Sequence, residues 1–224
     1  MNLLQDFGRW ITEAGKSGAA FDVVFSSRLV RFAVVPWDET AVTSRDQETL
    51  AKMALESVTD GAMTDWQIRL GPQRFGCARL VCAVRQNILE NLQSVVSSAG
   101  ARLGSMRPLM QYAVNKWLRM PPDENFISLC IENDHVMAMS FNERNLGWVR
   151  HFSQLDGDAK ALIRSIDRQK FLVGGSVASK FAAVQFGRAI DFSPVRNRVV
   201  MLEQVAVGGE NASAIASMAA WSEL

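Results

Sequence analysis

The apolar positions change period several times along the chain, and each change marks an element. Leu3, Leu4, Phe7, Trp10 and Ile11 recur at i, i+1, i+4, i+7 and i+8, which places them on one face of a helix over residues 1–15. Gly15 to Gly18 breaks that pattern. Phe21–Phe25 and Leu29–Val35, rich in Val and Phe, predict two strands around Ser26-Ser27-Arg28, read as a hairpin, and Pro36 ends the second. A helix follows from Ser44, where Ser44 and Gln47 have capping-box spacing and Leu50, Met53, Ala54 and Val58 supply the apolar stripe. Trp66, Ile68 and Leu70 alternate with polar residues as in a half-wet strand. Arg79–Val84 is more continuously apolar, as in a central strand. Gln86–Ala99 reads as a helix with Ile88, Leu89, Leu92, Val95 and Val96 inward and Gly100 beyond its end. Arg102–Met106 predicts a short strand, and Pro108 opens a further helix.

Pro121-Pro122 stops that helix, and the period then switches to two. Phe126–Ile131, Val136–Phe141 and Gly147–Phe152 predict an antiparallel meander joined by turn-forming clusters. An amphipathic helix spans about 158–171, with Leu162, Ile163 and Ile166 inward. Phe181–Phe186 and Ala189–Phe192 predict the last two strands. The pattern divides the chain into an N-terminal helix and tether (1–18), a first α/β lobe (19–120), a second lobe (121–194), and a tail (195–224) expected to be partly disordered or loosely docked.

Composition narrows the function. Of 224 residues, 48% are hydrophobic and 21% charged, which is globular rather than disordered. Lys and Arg number 24 against 23 Asp and Glu, so net charge gives no reason to expect nucleic acid as partner. The three cysteines, Cys77, Cys82 and Cys130, lie in apolar runs and read as reduced thiols. The start lacks a basic n-region and no window reaches the length of a membrane span, so a cytoplasmic protein with no transmembrane segment is expected.

The order of elements, with particular residues in place, resembles the actin-like, ribonuclease-H-like cytoplasmic domains of the PilM and GspL group of type IV pilus assembly and type II secretion. The stretches that carry the likeness are Arg31-Phe32-Ala33-Val34-Val35-Pro36-Trp37; Cys82-Ala83-Val84 followed by Asn87-Ile88-Leu89-Glu90-Asn91-Leu92; Ala99-Gly100-Ala101-Arg102-Leu103 leading to Arg107-Pro108-Leu109; the meander; and Ala189-Ile190-Asp191-Phe192-Ser193-Pro194. The resemblance implies a two-lobed actin-like α/β fold. It also implies a scaffold role on the cytoplasmic side of a bacterial inner membrane, with other pilus or secretion assembly proteins as partners. Nucleotide-binding members of this fold carry Asp-x-Gly in the first hairpin of each lobe. Here the corresponding turns read Ser26-Ser27-Arg28 and Glu132-Asn133-Asp134-His135. Glycine lets backbone N–H groups approach phosphate, and Asp holds Mg²⁺ through water. Without them the expectation is a degenerate ATPase with no cofactor; the alternative is an ATP-binding ATPase of the same fold.

The remaining candidates are few. Gly174-Gly175-Ser176 is the one glycine-rich loop, similar to an adenosine-contacting loop, but with both phosphate turns absent a helix C-cap is the favoured reading. No phosphate loop of the G-x-x-x-x-G-K-[ST] type exists. His135 and His151 read as surface histidines, Glu132 and Asp134 as turn residues rather than ion ligands, and the cysteines lack zinc-binding spacing. The stripe of Leu3, Leu4, Phe7, Trp10 and Ile11 admits two readings: a buttress on the chain's own core, or a docking face for a partner or second copy.

Overall fold

The computed structural model describes residues 3–59, 61–117, 125–133, 135–142, 145–153, 158–172, 180–187 and 190–205. Among them the chain runs α1 (Leu3–Glu13), β1 (Ala20–Phe25), β2 (Val30–Val35), α2 (Ser44–Glu56), β3 (Trp66–Leu70), β4 (Arg79–Arg85), α3 (Gln86–Ser98), β5 (Arg102–Pro108), α4 (Leu109–Trp117), β6 (Phe126–Glu132), β7 (His135–Asn142), β8 (Asn145–Ser153), α5 (Ala159–Leu172), β9 (Lys180–Phe186) and β10 (Val199–Val205). The predicted order of elements holds up to residue 186. Pro121-Pro122 lies outside the described residues.

The C-terminal lobe is built on a five-stranded sheet in the order β10-β9-β6-β7-β8. β6, β7 and β8 form the antiparallel meander, while β6, β9 and β10 run parallel. Every residue of β6 is buried, as expected of a strand covered on both faces. One face packs Ile127, Leu129, Ile131 and Phe181 under Leu162, Ile163 and Ile166 of α5. The other packs Cys130, Met137, Met139 and Val184 against Met110 and Ala113 of α4 and against the N-terminal lobe.

The N-terminal lobe does not repeat that sheet. β1 and β5 form a parallel pair, and β2-β4-β3 form a separate antiparallel sheet. The expected hairpin between the first two strands is therefore absent: a 3-10 turn over Ser27–Leu29 sends β2 away from β1 to a different partner. α2 covers one face of the three-stranded sheet through Ala51 and Leu55, with Leu50 and Ala54 beside them. Met53 and Val58, assigned to the buried stripe from the sequence, are 61% and 41% exposed. Met53 is two residues from Ala51 and Leu55, so it projects from the opposite side of the helix. The capping box is Thr43 with Asp46, one residue earlier than Ser44 with Gln47. Gly100, at φ 71°, takes the left-handed conformation expected after α3.

Two further corrections concern the C-terminal end. Ala189–Phe192 is not a strand in its described part: Asp191 makes only an isolated bridge to Asp158. Residues 199–205, assigned to the tail, form β10 along β9. Val199 and Val200 are adjacent apolar residues with no alternation, so they gave no strand signal of period two.

Candidate functional site

Among the described residues, two places gather candidate side chains: the contact between the lobes and a groove in the N-terminal lobe.

At the lobe contact, the end of β1 delivers Ser26 and Ser27, and the end of β6 delivers Glu132. All three are buried. Ser26 Oγ donates to Glu132 Oε2 at 2.6 Å, and the Ser27 backbone N–H donates to Glu132 Oε1 at 2.9 Å. Both carboxylate oxygens are thus satisfied by donors from the opposite lobe, with charge-assisted geometry. Ser26 Oγ also accepts from the Arg28 N–H at 3.3 Å, which fixes the 3-10 turn. Cys130 lies beside the contact. Burial pushes its thiol well up, the Glu132 charge adds to that, and the Ser27 hydroxyl opposes it. The turn after Glu132 is set by Asn133 at φ 49°, whose amide side chain leaves no room for a Cβ at Gly187, itself at φ 80°. The two turns that the sequence compared with phosphate turns therefore meet, and they bond to each other.

His135 pairs across the strands with Glu132 and is buried rather than at the surface. Its Nε2 lies 3.0 Å from Nδ1 of His151. The His151 ring lies 6.4 Å from that of Phe32 on β2, so the pair also touches the N-terminal lobe. Burial, then His135 and Arg31, lower the pKa of His151 to about 4. The sequence had no signal for this pairing, because the two histidines are 16 residues apart and meet only through the β7–β8 register.

The second place is a groove of about 730 Å³ whose floor is β3. Among the described residues β3 pairs on one side only, with β4, and no described strand lies along its other edge. Glu48 and Lys52 of α2 wall one side, and Gln86, Leu89, Glu90 and Gln93 of α3 wall the other. Gln86 Nε2 donates to Glu90 Oε1 at 2.7 Å, holding that wall. At the end of the floor, Arg31 and Arg85 lie over the Trp66 ring at 5.8 and 5.2 Å. Among the lining side chains Glu48 and Glu90 offset Lys52 and Arg69, and Arg31 and Arg85 add positive charge at the Trp66 end.

The sequence candidates fare differently. Gly174, Gly175 and Ser176 lie outside the described residues. α1 packs on α3: Ile11 is fully buried, and Leu4 and Phe7 pack against the same core. Trp10 is 40% exposed and stacks on Phe7 at 6.0 Å between centroids. Ile11 is thus covered by the chain's own core, while Leu4 and Phe7 are half-buried against it. Leu3 opens the helix. Among the described residues no cluster of three metal-ligating side chains occurs, and no helix is long and apolar enough to cross a membrane.

The fold is that of the actin-like α/β proteins. Three solved structures align over nearly the whole chain. The PilM-PilN type IV pilus biogenesis complex matches at 14% identity with a TM-score of 0.62, over 97% of this chain and 84% of that one. The cytoplasmic domain of EpsL, an inner-membrane component of the type II secretion system of Vibrio cholerae, matches at 11% identity and a TM-score of 0.53, over 98% and 79%. A Bacteroides thetaiotaomicron protein with an actin-like ATPase fold and unknown function matches at 10% identity and 0.56, over 99% and 82%. No protein-family model and no curated protein sequence matches this chain. At such identities the likeness is one of fold.

Proposed function

We propose that the chain is a non-catalytic binding scaffold of a pilus-assembly or secretion platform, acting on the cytoplasmic side of the inner membrane. Its β3 groove receives an extended segment of a partner protein. The observation that carries this reading is the edge of β3 that no other described strand pairs with, at the floor of a groove walled by two helices. A strand laid there extends the sheet and takes its affinity from main-chain hydrogen bonds, with alternate side chains falling against the two walls. The fold shared with components of pilus and secretion assemblies supports the choice of partner class.

The competing reading, an ATPase using the cleft between the lobes, has the fold in its favour. Against it stands Glu132, whose carboxylate occupies the Ser26 and Ser27 donors and puts negative charge where phosphate would go.

Peptides from the cytoplasmic N-terminal segments of inner-membrane proteins encoded beside this chain test the first reading by calorimetric titration. Saturable binding to the intact protein, lost in Gln93→Trp, is expected. Gln93 is exposed, so the variant fills the groove without touching the core. Binding unchanged in Gln93→Trp would place the partner elsewhere. Millimolar Mg²⁺-ATP tests the second. Occupancy at 100 Kd stabilises by about 2.7 kcal/mol, or roughly 5–10 °C in melting temperature for a chain of this size. No such shift is expected, and a clear one revives the ATPase reading.

A further inference from the structure

We infer that Ser26 and Ser27 form an oxyanion seat in the N-terminal lobe, filled by the chain's own Glu132 from the other lobe, and that the seat binds small free carboxylates once that side chain is removed.

Two donors converge on one carboxylate, a hydroxyl at 2.6 Å and a backbone N–H at 2.9 Å, each on its own oxygen. This is the arrangement by which proteins hold carboxylates and phosphates: fixed donors, aimed before the anion arrives. The donors are pre-set here. Ser26 opens the 3-10 turn with its hydroxyl accepting from the Arg28 N–H, which orients its own O–H outward to the other lobe. Ser26 and Ser27 are fully buried and Glu132 is 6% exposed, so water does not compete freely for either side.

The anion is equally fixed. Glu132 ends β6, where it is in register with His135 of β7 and Phe186 of β9, so the sheet holds its Cα from both sides. Asn133 then turns the chain at positive φ, and its N–H donates to the Phe186 carbonyl at 3.2 Å. The side chain thus leaves the sheet in one direction, toward the β1 turn.

The consequence is mechanical. A two-lobed protein that works by closing on a ligand must break and remake contacts between its lobes. Opening here would trade two charge-assisted hydrogen bonds for bonds to water, which is disfavoured. The seat therefore holds the lobes at one angle and excludes an external anion from the same donors. This inference concerns the lobe contact and does not depend on what the β3 groove binds.

The fragment lost in Glu132→Ala has the size and charge of acetate, which can therefore replace it. The test is the melting temperature of the intact chain and of Glu132→Ala in sodium chloride, formate and acetate at equal ionic strength. In chloride, Glu132→Ala is expected to melt lower by about 5 °C or more, since two buried donors lose their acceptor. At roughly 100 mM, acetate or formate should return at least half of that loss, as a weak ligand does when present near or above its Kd. The intact protein should show no such response, and Ser26→Ala combined with Glu132→Ala should lose most of it. Amide exchange at Ser27 should quicken in Glu132→Ala and slow again in acetate. A Glu132→Ala protein indifferent to the anion, or an equal rise in the intact protein, overturns the inference. Should Glu132→Ala fail to fold in chloride, cooperatively melting protein recovered by refolding in acetate supports the seat. Failure in both solutions overturns it.

Discussion

Gly8 of α1 lies so close to Val95 of α3 that a Cβ at position 8 would come within 2.9 Å of Val95 Cγ1. The β-branched valine has little rotamer freedom with which to retreat. Close approach at this crossing is what lets Ile11 reach full burial one turn later.

The fit of α1 on α3 predicts that the helix is part of the monomer. Deleting residues 1–15 uncovers the site that Ile11 fills, and truncating a buried isoleucine of this kind costs about 2–4 kcal/mol. The expected result is a lower melting temperature, not an unchanged one. Gly8→Leu should do the same by wedging the helices apart, with Trp10 fluorescence shifting to the red. Light scattering on the truncated protein checks the other reading of the stripe: if its mass falls while its melting temperature holds, α1 serves association instead.

The His135–His151 contact predicts acid sensitivity. Burial holds His151 neutral in the folded protein down to about pH 4, whereas its unfolded pKa is near 6.5. Between those values the unfolded chain binds more protons than the folded one, so stability falls as pH drops from 6.5 towards 4. His151 keeps an exposed face, and solvent screening limits the effect to about 1 kcal/mol. Melting temperature against pH measures it. His151→Gln should flatten the curve in this window. An unchanged slope would assign the acid sensitivity to carboxylates.

What the sequence revealed and what it concealed follow from range. α3 could be read correctly because Leu92 and Val96 are four residues apart and the pattern is local; both are fully buried. β6 could be read because a strand covered on both faces is apolar throughout. The pairing of β1 with β5 could not, since it joins Ala20 to Arg102 across the whole lobe, and nothing local distinguishes that from a hairpin with β2. The site was hidden for the same reason. Glu132 and Ser26 are 106 residues apart. Each turn was singled out for the glycine it lacks, and only the tertiary fold shows that the replacement residues bond to each other. Met53 misled for a different reason: an apolar side chain on the outer face of α2 fits a hydrophobic stripe by composition but not by angle.

The last prediction concerns β10, the strand that the sequence left in the tail. Arg198 stands immediately before it and binds Asp167 of α5 in a two-pronged pair, Nη1 to Oδ2 at 2.8 Å and Nη2 to Oδ1 at 2.9 Å. Its guanidinium also lies over the Phe181 ring at 5.1 Å, and the Asp167 hydrogen bonds raise its pKa further. Both side chains keep more than a quarter of their surface exposed, 29% and 26%, so the pair falls between a surface ion pair and a buried one. Arg198→Ala should cost about 1 kcal/mol, part of it lost packing on Phe181. Asp167→Ala should cost less, and the double variant should fall short of the sum, because the two residues share one interaction. Ending the chain before Val199 should cost much more than any of these. It removes the whole parallel strand, bares the β9 edge from Phe181 to Phe186, and takes Val199, only 8% exposed, out of the core on the α5 side of the sheet. Urea unfolding of the four proteins measures the series. A truncation no more costly than Arg198→Ala would show that β10 adds little, and that residues after 194 behave as the loosely docked tail the sequence suggested.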